Sequence, residues 1–194
     1  MAGRWRDFGM YEARGVPGWV ALGREMDRQV TGLASPVESE RGLAARLRYL
    51  TDSRAGYAAM ERAGISVTPR TLMAWLAEER LPSRRNLRRI DAAYWDLRRR
   101  HLAATWKRRL AQRGTRIEIQ PVDQRDVQRR HPGRARDISV RRITVRGHRI
   151  WDDIVDGWIE ENTELLDAAW DDIIYDLGSD YDAYSYVSGV GFAV

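Results

Sequence analysis

Thr68-Pro69-Arg70-Thr71-Leu72-Met73-Ala74 is the stretch whose residue types and spacing best suit chemistry at a surface. Threonine followed by proline is a helix start: the hydroxyl accepts from a free backbone N–H, and proline at the first helical position sacrifices no hydrogen bond. Thr68, Arg70, Thr71 and Met73, with Ala74, then lie around the leading edge of that helix. Arg70 offers a planar fork of donors that matches the O6 and N7 acceptors of guanine, and an apolar side chain suits a thymine methyl. The preceding segment, Ser53 to Ala63, reads as a helix ended by Gly64. Helix, short turn and helix in this order is the arrangement in which a second helix enters the major groove of DNA. A plain helical hairpin has the same order, so the surroundings must decide.

The surroundings are basic. Arg84, Arg85 and Arg88 open the next helical run, and Arg98 and Arg108 recur along it, among Arg89, Arg99, Arg100, Lys107, Arg109 and Arg113. Only Asp91 and Asp96 oppose them. A charge run is usually a solvated face, but one so poorly balanced next to a helix-turn-helix favours phosphate contact. Further on, Arg142 shares a strand face with Thr144 and Arg146 and extends the basic surface.

Other chemistry finds little support. His131-x-x-Arg134 carries Pro132 and Gly133, which break the helix that a paired catalytic base would need. There is no Gly-rich loop ending in Gly-Lys-Ser/Thr and no Gly-x-Ser-x-Gly elbow. His101, His131 and His148 lack metal-ligand spacing, and the chain has no cysteine. Asp152, Asp153, Asp156, Asp167, Asp171 and Asp172 sit on an amphipathic segment, where carboxylates are far more often the solvated side than a Mg²⁺ site. The expectation is a protein without enzymatic activity, metal or cofactor. No segment has the length of a membrane span, so a cytoplasmic, nucleoid-associated location follows.

Charge is divided along the chain. All 33 lysines and arginines lie in residues 1–149 beside 16 acids, a net +17, while residues 150–194 hold twelve acids and no base. The overall +5 conceals this. A basic body attracts a polyanion because phosphate neutralisation releases counterions. The acidic end can repel that polyanion, fold back on the basic face, or attract another basic surface.

The elements that must hold these residues follow from periodicity. Residues 1–36 read as an arm and a short helix from Trp19 to Val30. Residues 37–114 hold a helix with Leu43, Leu47 and Leu50, the helix-turn-helix with Leu72, Trp75 and Leu76 on its buried stripe, and a long helix capped by Ser83. Pro82 is the stop expected for the second helix of the motif, and Gly114 ends the long one. Residues 115–149 alternate in period two over Thr115–Gln120 and Ser139–Arg146, an antiparallel ribbon around a basic loop from Pro121 to Asp137. Residues 150–194 form an acidic helical tail. Its stripe with Trp151, Trp158 and Trp170 suits a core or a dimer seam, and Tyr181, Tyr184 and Tyr186 suit packing. The class is mainly α with a small β ribbon, α+β.

The runs LGREMDRQV, RLRYL, ERAGISVTPRTLMAWL, LPSRRNLRRI and VRRIT resemble the telomere terminal proteins of actinobacterial linear chromosomes and plasmids, over about residues 22–146. The resemblance implies a DNA-binding protein of replicon ends that offers a hydroxyl to the first nucleotide. It also implies a telomere-associated protein and a DNA polymerase as partners. The place of the acceptor threonine is taken by Ala135; Ser139 is the nearest hydroxyl, and Thr115 and Thr144 flank the ribbon. Two other functions fit the same residues: a regulator binding an operator as a homodimer, and an assembly protein whose acidic tail docks a basic partner.

Overall fold

A computed structural model describes residues 11–112 and 114–193. In chain order the elements are β1 (Val16–Pro17), α1 (Gly18–Gln29), α2 (Glu40–Thr51), α3 (Arg54–Arg62), α4 (Pro69–Leu76) and α5 (Arg84–Gln112). They continue with β2 (Thr115–Pro121), α6 (Arg125–Arg130), a 3-10 turn at Pro132–Arg134, β3 (Arg141–Val145), α7 (His148–Ile159) and α8 (Thr163–Tyr175). A second 3-10 stretch, Gly178–Tyr184, leads into β4 (Tyr186–Gly191). The protein is mainly helical with a four-stranded antiparallel sheet, an α+β fold. The first ten residues of the expected N-terminal arm, and Arg113, lie outside the described residues.

Two compact units share the chain: residues 30–102, and residues 1–29 with 103–194. The boundary falls inside α5.

The helical unit is built from α2, α3, α4 and the first part of α5. Every one of these helices starts on a hydroxyl cap: Ser39 accepts from Gly42, Ser53 from Gly56, Thr68 from Thr71 and Ser83 from Asn86. Each such cap contributes about 1 kcal/mol by satisfying a backbone N–H that the helix leaves free. The apolar stripes meet in one core of Leu43, Leu47, Leu50, Met60, Trp75, Ile90, Tyr94 and Leu97. Arg46 is buried at its edge, with Nε on Asp91 at 2.7 Å and Nη1 on the carbonyls of Ser35 and Gly42. A charge so placed needs all these partners, because desolvation alone disfavours it.

In the second unit β4 lies between β1 and β2, in the order β1-β4-β2-β3. The two-stranded ribbon expected from residues 115–149 is thus half of a larger sheet. Its β2 has a second edge, which the chain's end fills with Glu118 opposite Gly191 and Ile119 opposite Val190. The expected strand from Ser139 to Arg146 is shorter, Arg141–Val145, and the Pro121–Asp137 loop holds α6, anchored by buried Val127.

The acidic tail is not a separate appendage. α7 and α8 pack on each other, α8 packs on α1, and Trp151, Trp158 and Trp170 are buried in this unit. Their indoles donate to the Val145 carbonyl, to Asp27 Oδ1 and to the Tyr184 carbonyl, and Trp106 stacks on Trp158 with centroids 5.3 Å apart. The stripe is core, so it cannot also be a dimer seam. Several tail acids pair with bases of the same unit: Asp156 with Lys107, Asp172 with Arg149 and Asp180 with Arg141.

Candidate nucleic-acid interface

The turn between α3 and α4 is closed by backbone geometry that its sequence encodes. Gly64 has φ +74°, a conformation open to glycine at little cost. The Ile65 amide then reaches the Met60 carbonyl at 2.9 Å and the Gly64 amide reaches Glu61 at 2.8 Å, the hydrogen-bond pair of a Schellman motif. The guanidinium of Arg89 lies beside Gly64, with Nη2 3.3 Å from where a Cβ would sit. The base of α5 is thereby packed against the turn.

α4 follows on Thr68, whose Oγ1 accepts from the Thr71 amide at 3.2 Å and lies 3.0 Å from the Thr71 hydroxyl. Trp75 fills the core side, 3% exposed, and Met73 faces the other way at 63%. Thr68 and Arg70 are exposed and Thr71 is half-buried, so the leading edge of the helix is available to a partner. The helix ends at Leu76, six residues before Pro82. A second Schellman pair ends it there, Glu79 amide to Ala74 carbonyl and Glu78 amide to Trp75 carbonyl, with Glu78 at φ +60°.

Arg84, Arg85 and Arg88, in the first two turns of α5, are exposed and bear no ion pair among the described residues. Arg98 is partly engaged: its Nε donates to the Thr31 carbonyl at 2.8 Å, so it fastens the chain between α1 and α2. Asp96 takes Arg62 and Arg100. Burial raises its pKa, but the hydrogen bonds and charges of the two arginines outweigh that, and the carboxyl stays below its ordinary range. Arg41, Arg48 and Arg54 are also exposed and, among the described residues, not paired with an acid. None has a second basic residue next to it in the chain, so no run of positive charge marks them in the sequence.

Charge is distributed between the units differently from along the chain. The helical unit holds fourteen arginines against eight acids, a net +6. The other holds nineteen bases against twenty acids, a net −1.

The remaining expected residues belong to that near-neutral unit. Arg108 is exposed on α5. Arg142 gives its Nε to Glu118 across the strands at 2.7 Å. The Thr115 hydroxyl donates to the Leu110 carbonyl at 2.9 Å and closes the end of α5. Ser139 is exposed, and its carbonyl accepts from the Tyr184 hydroxyl at 2.5 Å. Ala135, where the resemblance puts the acceptor, is half-buried just after the 3-10 turn.

Among the described residues no three acids or histidines are placed to hold a metal ion, and no helix is long and apolar enough to cross a membrane. Comparison with known protein families, with curated proteins and with solved structures finds no match.

Proposed function

We propose that the protein binds duplex DNA through its helical unit, with α4 in the major groove and the start of α5 on the phosphate backbone. The observation that carries this reading is the division of labour on α4 and α5. Trp75 is held in the core while Thr68, Arg70 and Met73 stay exposed, and Arg84, Arg85 and Arg88 have no acid beside them among the described residues. The net +6 of this unit supplies the attraction that phosphate contact needs. Arg70 reads a guanine, and its removal costs about 1–3 kcal/mol of discrimination at that base pair. Selection from random duplexes tests this. The native chain enriches a site containing that guanine, and Arg70→Ala enriches none at the same position. Equal enrichment by both proteins contradicts the placement of α4.

The setting is maintenance of a linear replicon or mobile element, in line with the resemblance to telomere terminal proteins. If the protein primes, Ser139 is the candidate acceptor: its exposed position leaves it accessible, whereas the Thr115 hydroxyl is committed to Leu110. Incubation with a DNA polymerase and labelled dNTP yields label on the denatured protein that Ser139→Ala abolishes. Label retained in Ser139→Ala removes this residue as acceptor.

A further inference from the structure

The start of α1, α8 and the start of β4 enclose a cavity of about 150 Å³. Trp19, Trp170, Tyr181 and Tyr186 line it with aromatic rings, and Asp167 and Asp171 line it with carboxylates. The fold holds these walls in place. The Gly18 amide donates to the Ser185 carbonyl at 3.0 Å, Pro17 pairs with Tyr186, and the Trp170 indole donates to the Tyr184 carbonyl. A Cβ at Gly18 would lie 1.9 Å from Trp170, so only glycine lets α1 begin against this indole. Asp167 and Asp171 are four residues apart on α8, which puts them on one face, and their charges repel. Both are exposed, and neither has an ion pair among the described residues. Burial, the hydrogen bond to Asp171 and the charges of Asp171, Asp182 and Asp167 push the Tyr181 phenol up to about 12, so it remains a neutral ring beside them.

We infer that this cavity receives a guanidinium group, the head of an arginine from a partner protein or of a free guanidine compound. Charge selects a cation, because two carboxylates repel each other here and residues 150–194 contain no base to separate them. A hard metal ion needs more oxygen ligands than this pair supplies, and no third acid or histidine joins it among the described residues. Aromatic walls favour an organic cation, which the negative face of a ring attracts. Planarity then decides between arginine and lysine. A guanidinium stacks flat on a ring while its fork of N–H donors reaches carboxylates on either side, whereas an ammonium is a compact and strongly hydrated point charge. The volume suits one head group, being well below the roughly 300–1,000 Å³ of pockets for drug-sized ligands. The site lies in the near-neutral unit and does not depend on the DNA-binding reading.

Solution NMR of the full chain with isotope-labelled tryptophan indoles tests this, titrated with N-acetyl-arginine amide, N-acetyl-lysine amide and methylguanidinium. The arginine compound shifts the Trp19 indole in a saturable way and binds several-fold more tightly than the lysine compound. Asp167→Asn combined with Asp171→Asn weakens arginine binding by roughly tenfold. The same variant keeps or raises the thermal midpoint, since a repulsive pair on α8 is gone, so its loss of binding is not unfolding. Glu164→Gln combined with Asp176→Asn removes equal charge from the two ends of α8 and leaves arginine binding unchanged. Tighter binding of the arginine compound than of methylguanidinium names a partner protein as the source, and the reverse order names a free guanidine compound. An unshifted Trp19 indole with both guanidinium compounds overturns the proposal. So does equal binding of the lysine and arginine compounds, or an equal loss in the two double variants.

Discussion

Asp96 on α5 holds Nη2 of Arg62 on α3 at 2.5 Å and at the same time takes Nε of Arg100 at 2.9 Å. One carboxylate thus ties the first helix of the motif, α3, to the long helix α5 and quenches two of the fourteen arginines in the helical unit.

Asp96→Asn should therefore move stability and DNA affinity in opposite directions. Removing two partly exposed ion pairs lowers stability by about 1 kcal/mol. The freed Arg62 and Arg100 raise non-specific DNA affinity several-fold at low salt, and the gain fades as screening grows. Urea midpoints and fluorescence anisotropy on the same preparation measure both. A parallel fall in stability and affinity contradicts the charge-quenching role.

Glu78→Gly should stabilise the protein by about 0.5–1 kcal/mol, because φ +60° places a side chain in the left-handed region. The same change at Glu79, whose φ is not positive, gives no such gain. Denaturant midpoints for the two variants decide it; equal effects would show that strain at Glu78 is not relieved by glycine.

The pH dependence of α6 rests on Asp123. Arg125, first through its side chain and then through its backbone N–H, brings the Asp123 carboxyl down from 3.8 to about 2. The folded value lies below the unfolded one, so this stabilisation is full above pH 3.8 and is lost as pH falls toward about 2. In Asp123→Asn the loss of α6 protection against hydrogen exchange across that window should flatten. An unchanged acid profile would assign the loss to other carboxylates.

What the sequence made legible was local. Thr68-Pro69 and Ser83 announced helix starts because a cap needs only the next three residues, and Trp75 fell on the core stripe through spacing alone. Ile117 and Ile119 were readable as a buried face by alternation. What escaped depends on distant partners. β4 joins β2 over some seventy residues, through short apolar positions among glycines, and nothing near Gly189 or Gly191 names Gln120 or Glu118 as its neighbour. α6 has six residues and one buried side chain, Val127, too few for a helical period. The stop at Leu76 was hidden because its left-handed residue is Glu78, while Pro82 gave a stronger but later signal. Folding back of the acids after Ile150 was one of three readings open in the sequence, and their partners Lys107 and Arg141 could not be named because they are distant along the chain. At the candidate interface, the exposed positions Thr68, Arg70 and Met73 were readable, but the tethering of Arg98 to Thr31 and of Arg142 to Glu118 was not.

The central claim is that the helical unit grips DNA through arginines the fold leaves uncompensated. The most direct measurement is the salt dependence of duplex binding by the full chain and by an Arg84→Ala, Arg85→Ala, Arg88→Ala triple variant. Removing one arginine that neutralises a phosphate lowers the slope of log K against log salt by about 0.9, so the triple variant should show a slope reduced by roughly two to three and weaker binding to every sequence. A native chain that binds no duplex at low salt, or a triple variant with the native slope, would contradict the account.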